Sequence, residues 1–136
     1  VVRYVQQTHF RRRKISESDY NIEVFCTLQI EGTHNWPTCP FDEVDYLRVP
    51  HRHIFHIKAF ALVSHTDRDV EFIMLKHDLE RYFQSMWFNF NKGLCEFGAK
   101  SCEMIAIDLI ETFGLTRCEV SEDNENGAIV TCKTGT

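Results

Sequence analysis

Proline is scarce in this chain. The three present, Pro37, Pro40 and Pro50, fall in one stretch, so irregular backbone is concentrated there. No apolar run approaches the roughly 20 residues that a membrane-crossing helix needs; the longest, Ala59 to Val63, is bounded by polar neighbours. Positive charge is short as well: 15 Lys and Arg stand against 20 Asp and Glu, a formal net charge of -5, which leaves no overall basic excess to drive nucleic-acid binding. The local exception, Arg11-Arg12-Arg13-Lys14, reads as a solvated segment. A disulfide framework is not indicated either. Cys26, Cys39, Cys95, Cys102, Cys118 and Cys132 are widely scattered, no secretory signal is read ahead of them, and Cys26, Cys118 and Cys132 sit in strand-like runs where a thiol behaves as a small apolar side chain. The expected setting is a reducing cytoplasm.

What is present is enough for one folded domain. The 136 residues carry 43% hydrophobic and 26% charged side chains, ordinary for a globular chain that buries its own core. Residues 1–20 are polar and basic without clear periodicity and read as an N-terminal extension; residues 21–136 read as a single domain. From Asn21 to Ile30 apolar and polar positions alternate, the period of a half-buried strand, and the pattern breaks at Gly32. Residues 31–50 read as a long loop, and loops of that length in compact domains are usually functional or mobile. A second strand is expected over about His51 to His65, then a turn around Thr66-Asp67-Arg68-Asp69.

Val70 to Trp87 reads as a helix, because Phe72, Leu75, Leu79, Tyr82, Phe83 and Met86 recur at intervals of three and four residues. A glycine-containing loop follows through Gly93 and Gly98. Ser101 is placed to cap a second helix whose apolar stripe stops at Gly114. Two short strands, Thr116 to Ser121 and Ala128 to Cys132, close the chain, with Asn126-Gly127 as the tight-turn signal between them. The expected fold class is therefore α+β, in the order ββααββ: a four-stranded antiparallel sheet with two helices on one face.

Within this frame one group of side chains points to chemistry. Successive residues of a strand face opposite sides, so His51 and His53 share a face while Arg52, Ile54 and His56 share the other. His34 supplies a third imidazole just past the first strand. Three neutral imidazoles with one open position form a common catalytic zinc set, so Zn2+ at His34, His51 and His53 is the expected cofactor. With seven histidines in the chain, a His-x-His pair also arises by chance as ordinary strand residues.

The order of these features resembles the 6-pyruvoyltetrahydropterin synthase and 6-carboxytetrahydropterin synthase family, enzymes of the tunnelling fold, over roughly residues 22 to 132. His34 and the His51-Arg52-His53 run look like its zinc histidines. Val70-Glu71-Phe72-Ile73-Met74-Leu75-Lys76 and Ser101-Cys102-Glu103-Met104-Ile105-Ala106 are similar to its two helix starts. Val120-Ser121-Glu122-Asp123-Asn124 resembles its strand ending in a pterin-binding glutamate.

The resemblance implies that Glu122 and Glu103 hold the 2-amino-pyrimidinone edge of a pterin, whose adjacent N–H groups suit a carboxylate. On their own, Glu103 reads as first-turn helix charge and Glu122 as an exposed turn acid. It further implies Cys39 as the proton-moving thiol and a ring-shaped homo-oligomer. The implied activity is a zinc-dependent lyase acting on a dihydroneopterin triphosphate-like small molecule, with 7-deazaguanine biosynthesis as the implied setting. One part of the family pattern is missing: residues 84–100 contain neither Asp nor His where its Asp-His relay stands, and His77-Asp78 or His65 could substitute only if the fold brings them to the site. Two readings stay open beside the lyase: a catalytically degenerate member that binds metal and a pterin-like or purine-like ligand, and a structural scaffold.

Overall fold

The computed structural model describes residues 16–133. Most of the N-terminal extension, including Arg11 to Lys14, lies outside them. Two strands of equal length form the centre: β1, Ile22–His34, and β2, His51–Val63, pair antiparallel from Ile22 opposite Val63 to His34 opposite His51. The first strand is longer than its sequence suggests. It does not break at Gly32 but continues to His34, because Gly32 is the position over which the Phe97 ring packs; a Cβ there would stand 2.5 Å from Phe97 Cε2.

After β2, the Asp69 carboxylate accepts hydrogen bonds from the Ser64 N–H (2.8 Å) and hydroxyl (3.0 Å), closing the turn into helix α1, Phe72–Met86. Glu71 caps that helix, its carboxylate accepting from the Ile73 N–H at 3.0 Å. Helix α2, Cys102–Phe113, begins at Ser101, whose hydroxyl accepts from the Met104 N–H. It ends at Gly114, which takes the left-handed conformation (φ 65°) that glycine adopts without strain. Leu75, Leu79 and Phe83 of α1 and Ile105, Ala106 and Leu109 of α2 enter the same core as Cys26, Leu28, Phe55, Ile57, Cys118 and Val120 of the strands.

The α+β class stands, but the four-stranded antiparallel sheet and its ββααββ order are overturned. The sheet has six strands in the order β3-β4-β1-β2-β5-β6 and is mixed. The added pair comes from the stretch read as loop: β3, Phe88–Asn89, and β4, Leu94–Gly98, form a hairpin in which the Asn89 side chain accepts from the Asn91 and Lys92 N–H groups and Gly93 takes φ 73°. Strand β4 then pairs parallel with the extension of β1, Gly32 opposite Cys95. Strands this short carry too few residues to show a period, and their pairing partner is remote in sequence.

The last hairpin also differs from expectation. Strands β5, Arg117–Glu122, and β6, Asn126–Thr131, are joined by a turn whose central residues Asp123 (φ 54°) and Asn124 (φ 58°) are both left-handed, the signature of a type I′ turn; Asn126-Gly127 already belongs to β6. Gly127 is required for a different reason, close backbone approach. A Cβ there would collide with the Val120 carbonyl oxygen and come within 2.5 Å of Ser121 Cα. Because those neighbours are backbone atoms, Gly127→Ala is expected to lower stability by about 1–3 kcal/mol in chemical denaturation, whereas a residue needed only for its turn would tolerate alanine once outside the turn.

All six cysteines are free thiols and five are buried, Cys132 being the exposed one. Burial pushes the Cys95 thiol up to about 11 and the Cys118 thiol up to about 12. Maleimide labelling of the native chain near pH 7.5 is therefore expected to modify Cys132 quickly and the others only after unfolding. Fast labelling of Cys118 would show that the core opens.

Candidate metal centre and adjoining cavity

The core face of the sheet changes character at one end. Along β1 the inward row runs Cys26, Leu28, Ile30, Gly32, His34; along β2 it runs from Ile57 and Phe55 to His53 and His51; along β5 it passes from Cys118 and Val120 to Glu122. The same period that buries the apolar residues thus delivers three imidazoles and a carboxylate to one place. Phe55, fully buried, forms the floor, its ring edge-on to His34 (5.1 Å) and His53 (5.7 Å).

Each imidazole is held by one nitrogen and leaves the other free. His34 Nδ1 meets the Lys100 carbonyl oxygen at 2.9 Å, His51 Nδ1 the Val49 carbonyl oxygen at 2.9 Å, and His53 Nδ1 the Asp123 carboxylate at 2.7 Å. Carbonyls only accept, so these contacts fix the Nδ1–H tautomer and leave each Nε2 a lone pair, the outer-shell arrangement of metal-binding histidines. The three Nε2 atoms are buried and have no hydrogen-bond partner, and one ring nitrogen from each residue lies within 4.8 Å of the others. His34 is 8% exposed, the one buried polar residue among the described residues. Buried unpaired acceptors are costly, and a cation bound by all three removes the cost. The residues fit a tetrahedral zinc site with a nitrogen donor set.

Glu122 stands beside them. Its carboxylate is 2.8 Å from His34 Nε2 and 3.5 Å from His53 Nε2, within ion-pair distance of both rings. The charges respond to one another. For His34, burial lowers the pKa, but Glu122 and the Lys100 carbonyl outweigh it and the net direction is up. Glu122 is pulled down, chiefly by His34 and further by His53 and His51, against its own burial.

A cavity of about 490 Å³ opens from this cluster, lined among others by His34, His51, Trp36, Cys102, Glu103 and Glu122. Of the residues singled out in the sequence, His34, His51, His53 and Glu122 come together, and Glu103 reaches the same cavity from the first turn of α2. No family model and no curated protein matches this chain. Cys39 does not line the cavity: it is buried inside the 35–50 segment, its thiol directed at the Phe41 and Val44 carbonyls (3.7 and 3.8 Å), a segment tied down by Arg48 Nε donating to the Cys39 carbonyl at 2.8 Å. His77 and Asp78 are exposed on α1, and His65 is exposed beside Asp69, so none of them joins the site.

Two residues were missed. Cys102 brings the cavity its thiol, 3.9 Å from Glu122, pushed up to about 12 by burial and by the charges of Glu122 and Glu103. Asp123 orients His53 while its other oxygen accepts from the Ile54 N–H at 2.9 Å. Its adjacency to Glu122 was visible, but nothing local links it to His53, 70 positions away.

Proposed function

We propose that this chain is a zinc-dependent pterin-processing enzyme of the 6-carboxytetrahydropterin synthase type, acting on a dihydroneopterin triphosphate-like molecule. The observation that carries this reading is the set of three buried, unpaired Nε2 atoms beside a cavity that two of those histidines, His34 and His51, line together with two carboxylates. When bound, zinc supplies Lewis-acid polarisation of ligand oxygens, which acidifies neighbouring C–H bonds. His34, His51 and His53 would hold it, and a carboxylate would accept the paired N–H groups of the pterin edge. Trp36 offers an aromatic surface to a planar ring in the same cavity. Free thiols throughout suit a reducing cytoplasm, and β6, the last strand of the sheet, has an unpaired edge among the described residues on which a homo-oligomer would extend the sheet.

A second reading is favoured by a specific observation: Cys39, His65, His77 and Asp78 all lie away from the cavity, so among the described residues of one chain no proton relay is assembled there. Binding of metal and a pterin-like ligand without turnover would follow. Incubating zinc-loaded protein with dihydroneopterin triphosphate and separating the products decides between the two. Product that disappears in His34→Ala supports the lyase; pterin binding without product supports the binding role; neither binding nor product defeats both.

A further inference from the structure

The three imidazoles are braced in different ways. His51 meets the carbonyl of Val49, two positions before it, and His53 meets Asp123 in the turn between β5 and β6. His34 depends on the carbonyl of Lys100, 66 positions away, in the connector between β4 and α2 that belongs to neither element. We propose that Lys100 and Asp108 form a positioning pair for the metal site, the contact between their side chains holding the Lys100 carbonyl against His34. This rests on the metal reading above.

A carbonyl points where its peptide plane points, and few contacts set that plane here. On the strand side Gly98 ends β4 in the left-handed conformation (φ 62°), its own carbonyl accepting from the Asn35 N–H at 2.9 Å. The Lys100 N–H reaches the Phe97 carbonyl at 3.3 Å, a long hydrogen bond. On the helix side Lys100 Nζ donates to Asp108 Oδ2 at 2.6 Å, a short charge-assisted bond to the middle of α2. Among the described residues this is the one ion pair that α2 makes. A free lysine side chain samples many rotamers and steadies nothing behind it. With its ammonium clasped, Lys100 is fixed from both sides of its backbone, and the 2.9 Å contact to His34 Nδ1 is fixed with it.

The pair differs from a solvated surface contact. Its side chains are 34% and 32% exposed, whereas those of the Arg81–Asp78 pair on α1 are 70% and 52% exposed and sit on a single helix. Pairs that keep this much contact with water add little to global stability, so the expected signature is a loss at the metal without a matching loss of fold. Asp108 has a second effect. Lys100 lines the cavity together with His34 and His51, and a bare ammonium there would oppose a divalent cation. Positioning and charge make opposite predictions for removal of the lysine, which lets one experiment separate them.

The test compares wild type with Lys100→Met, Asp108→Asn, the double variant, Lys100→Arg and, as a control pair elsewhere, Asp78→Asn. Zinc affinity is measured by competition with a chromophoric chelator, the visible spectrum is recorded with cobalt in place of zinc, and the urea midpoint is taken on metal-free protein. Lys100→Met and Asp108→Asn are each expected to bind zinc about tenfold more weakly, the lower end of what loss of an outer-shell partner costs, and to shift the cobalt spectrum. The double variant is expected to lose no more than either single one, because the two side chains act as a unit. Lys100→Arg, which keeps the clasp, is expected to stay close to wild type, and all metal-free midpoints to stay close to that of Asp78→Asn. Wild-type zinc affinity in both single variants would overturn the positioning role and leave the three-histidine site standing. Weaker zinc in Asp108→Asn but not in Lys100→Met would also overturn it, since the loose charge would then be the cause. So would a midpoint that falls in step with the affinity, which marks a merely structural pair. A wild-type protein that takes up no zinc or cobalt would overturn the metal reading and this inference together.

Discussion

Zinc is expected to raise the melting temperature of the wild-type chain by on the order of 10 °C, and to leave that of the His51→Ala/His53→Ala variant unchanged. A ligand that binds only the folded state stabilises it by about 4 kcal/mol at a thousandfold excess over its Kd, which for a domain of this size corresponds to a shift of that order. The metal-free comparison is equally informative. In the metal-free wild type three buried Nε2 atoms lack partners, and each unsatisfied acceptor costs about 1–3 kcal/mol. Removing two of them offsets the packing lost when the rings over Phe55 are cut back, so metal-free variant and metal-free wild type are expected to melt within a few degrees of each other. Histidines that served only as packing would behave in the opposite way: the double variant would melt lower, with or without zinc, and elemental analysis would find no metal in either protein. About one zinc per wild-type chain, absent from the variant, is the expected elemental result.

The pairing of His51 with His53 was legible because a strand's period is fixed by geometry, and the strand itself was legible from its β-branched and aromatic run. The site that results is more than the pair. His34 joins it only because β1 continues through Gly32, and glycine in a strand reads as a break until the ring that packs on it is known; Phe97 comes from a strand that was read as loop. Asp123 and the Lys100 carbonyl are likewise fixed by pairing across the sheet and by the approach to α2, not by anything in their neighbourhood. The placement of Cys39 away from the cavity has the same origin. The resemblance implied it as a thiol at the site, but hydrogen bonds within residues 35–50 turn its thiol inward, and Cys102, at the start of a helix, lines the cavity instead. Period and capping are local and were readable; strands β3 and β4, the outer-shell partners and the direction of a loop thiol depend on contacts between distant residues and were not.

Phe55→Ala is expected to carry the largest cost to stability of any single substitution near the site, and to act on the metal as well. The side chain is fully buried, lies edge-on to Phe97 at 5.0 Å, and supports the rings of His34 and His53. Truncating a buried Phe costs about 3–5 kcal/mol through lost burial and the cavity left behind, which denaturant titration would read as a large fall in midpoint. Phe83→Ala separates packing from positioning. Phe83 is as deeply buried and touches the same Phe97 ring at 6.1 Å, but it makes no ring contact with the triad. The two variants are therefore expected to lose similar stability, while only Phe55→Ala, measured well below its melting temperature, loses zinc affinity, by about tenfold as for other outer-shell changes. Equal zinc affinity in the two would mean that the Nδ1 contacts to Lys100, Val49 and Asp123 alone hold the imidazoles in place, and that the aromatic floor serves the core and not the site.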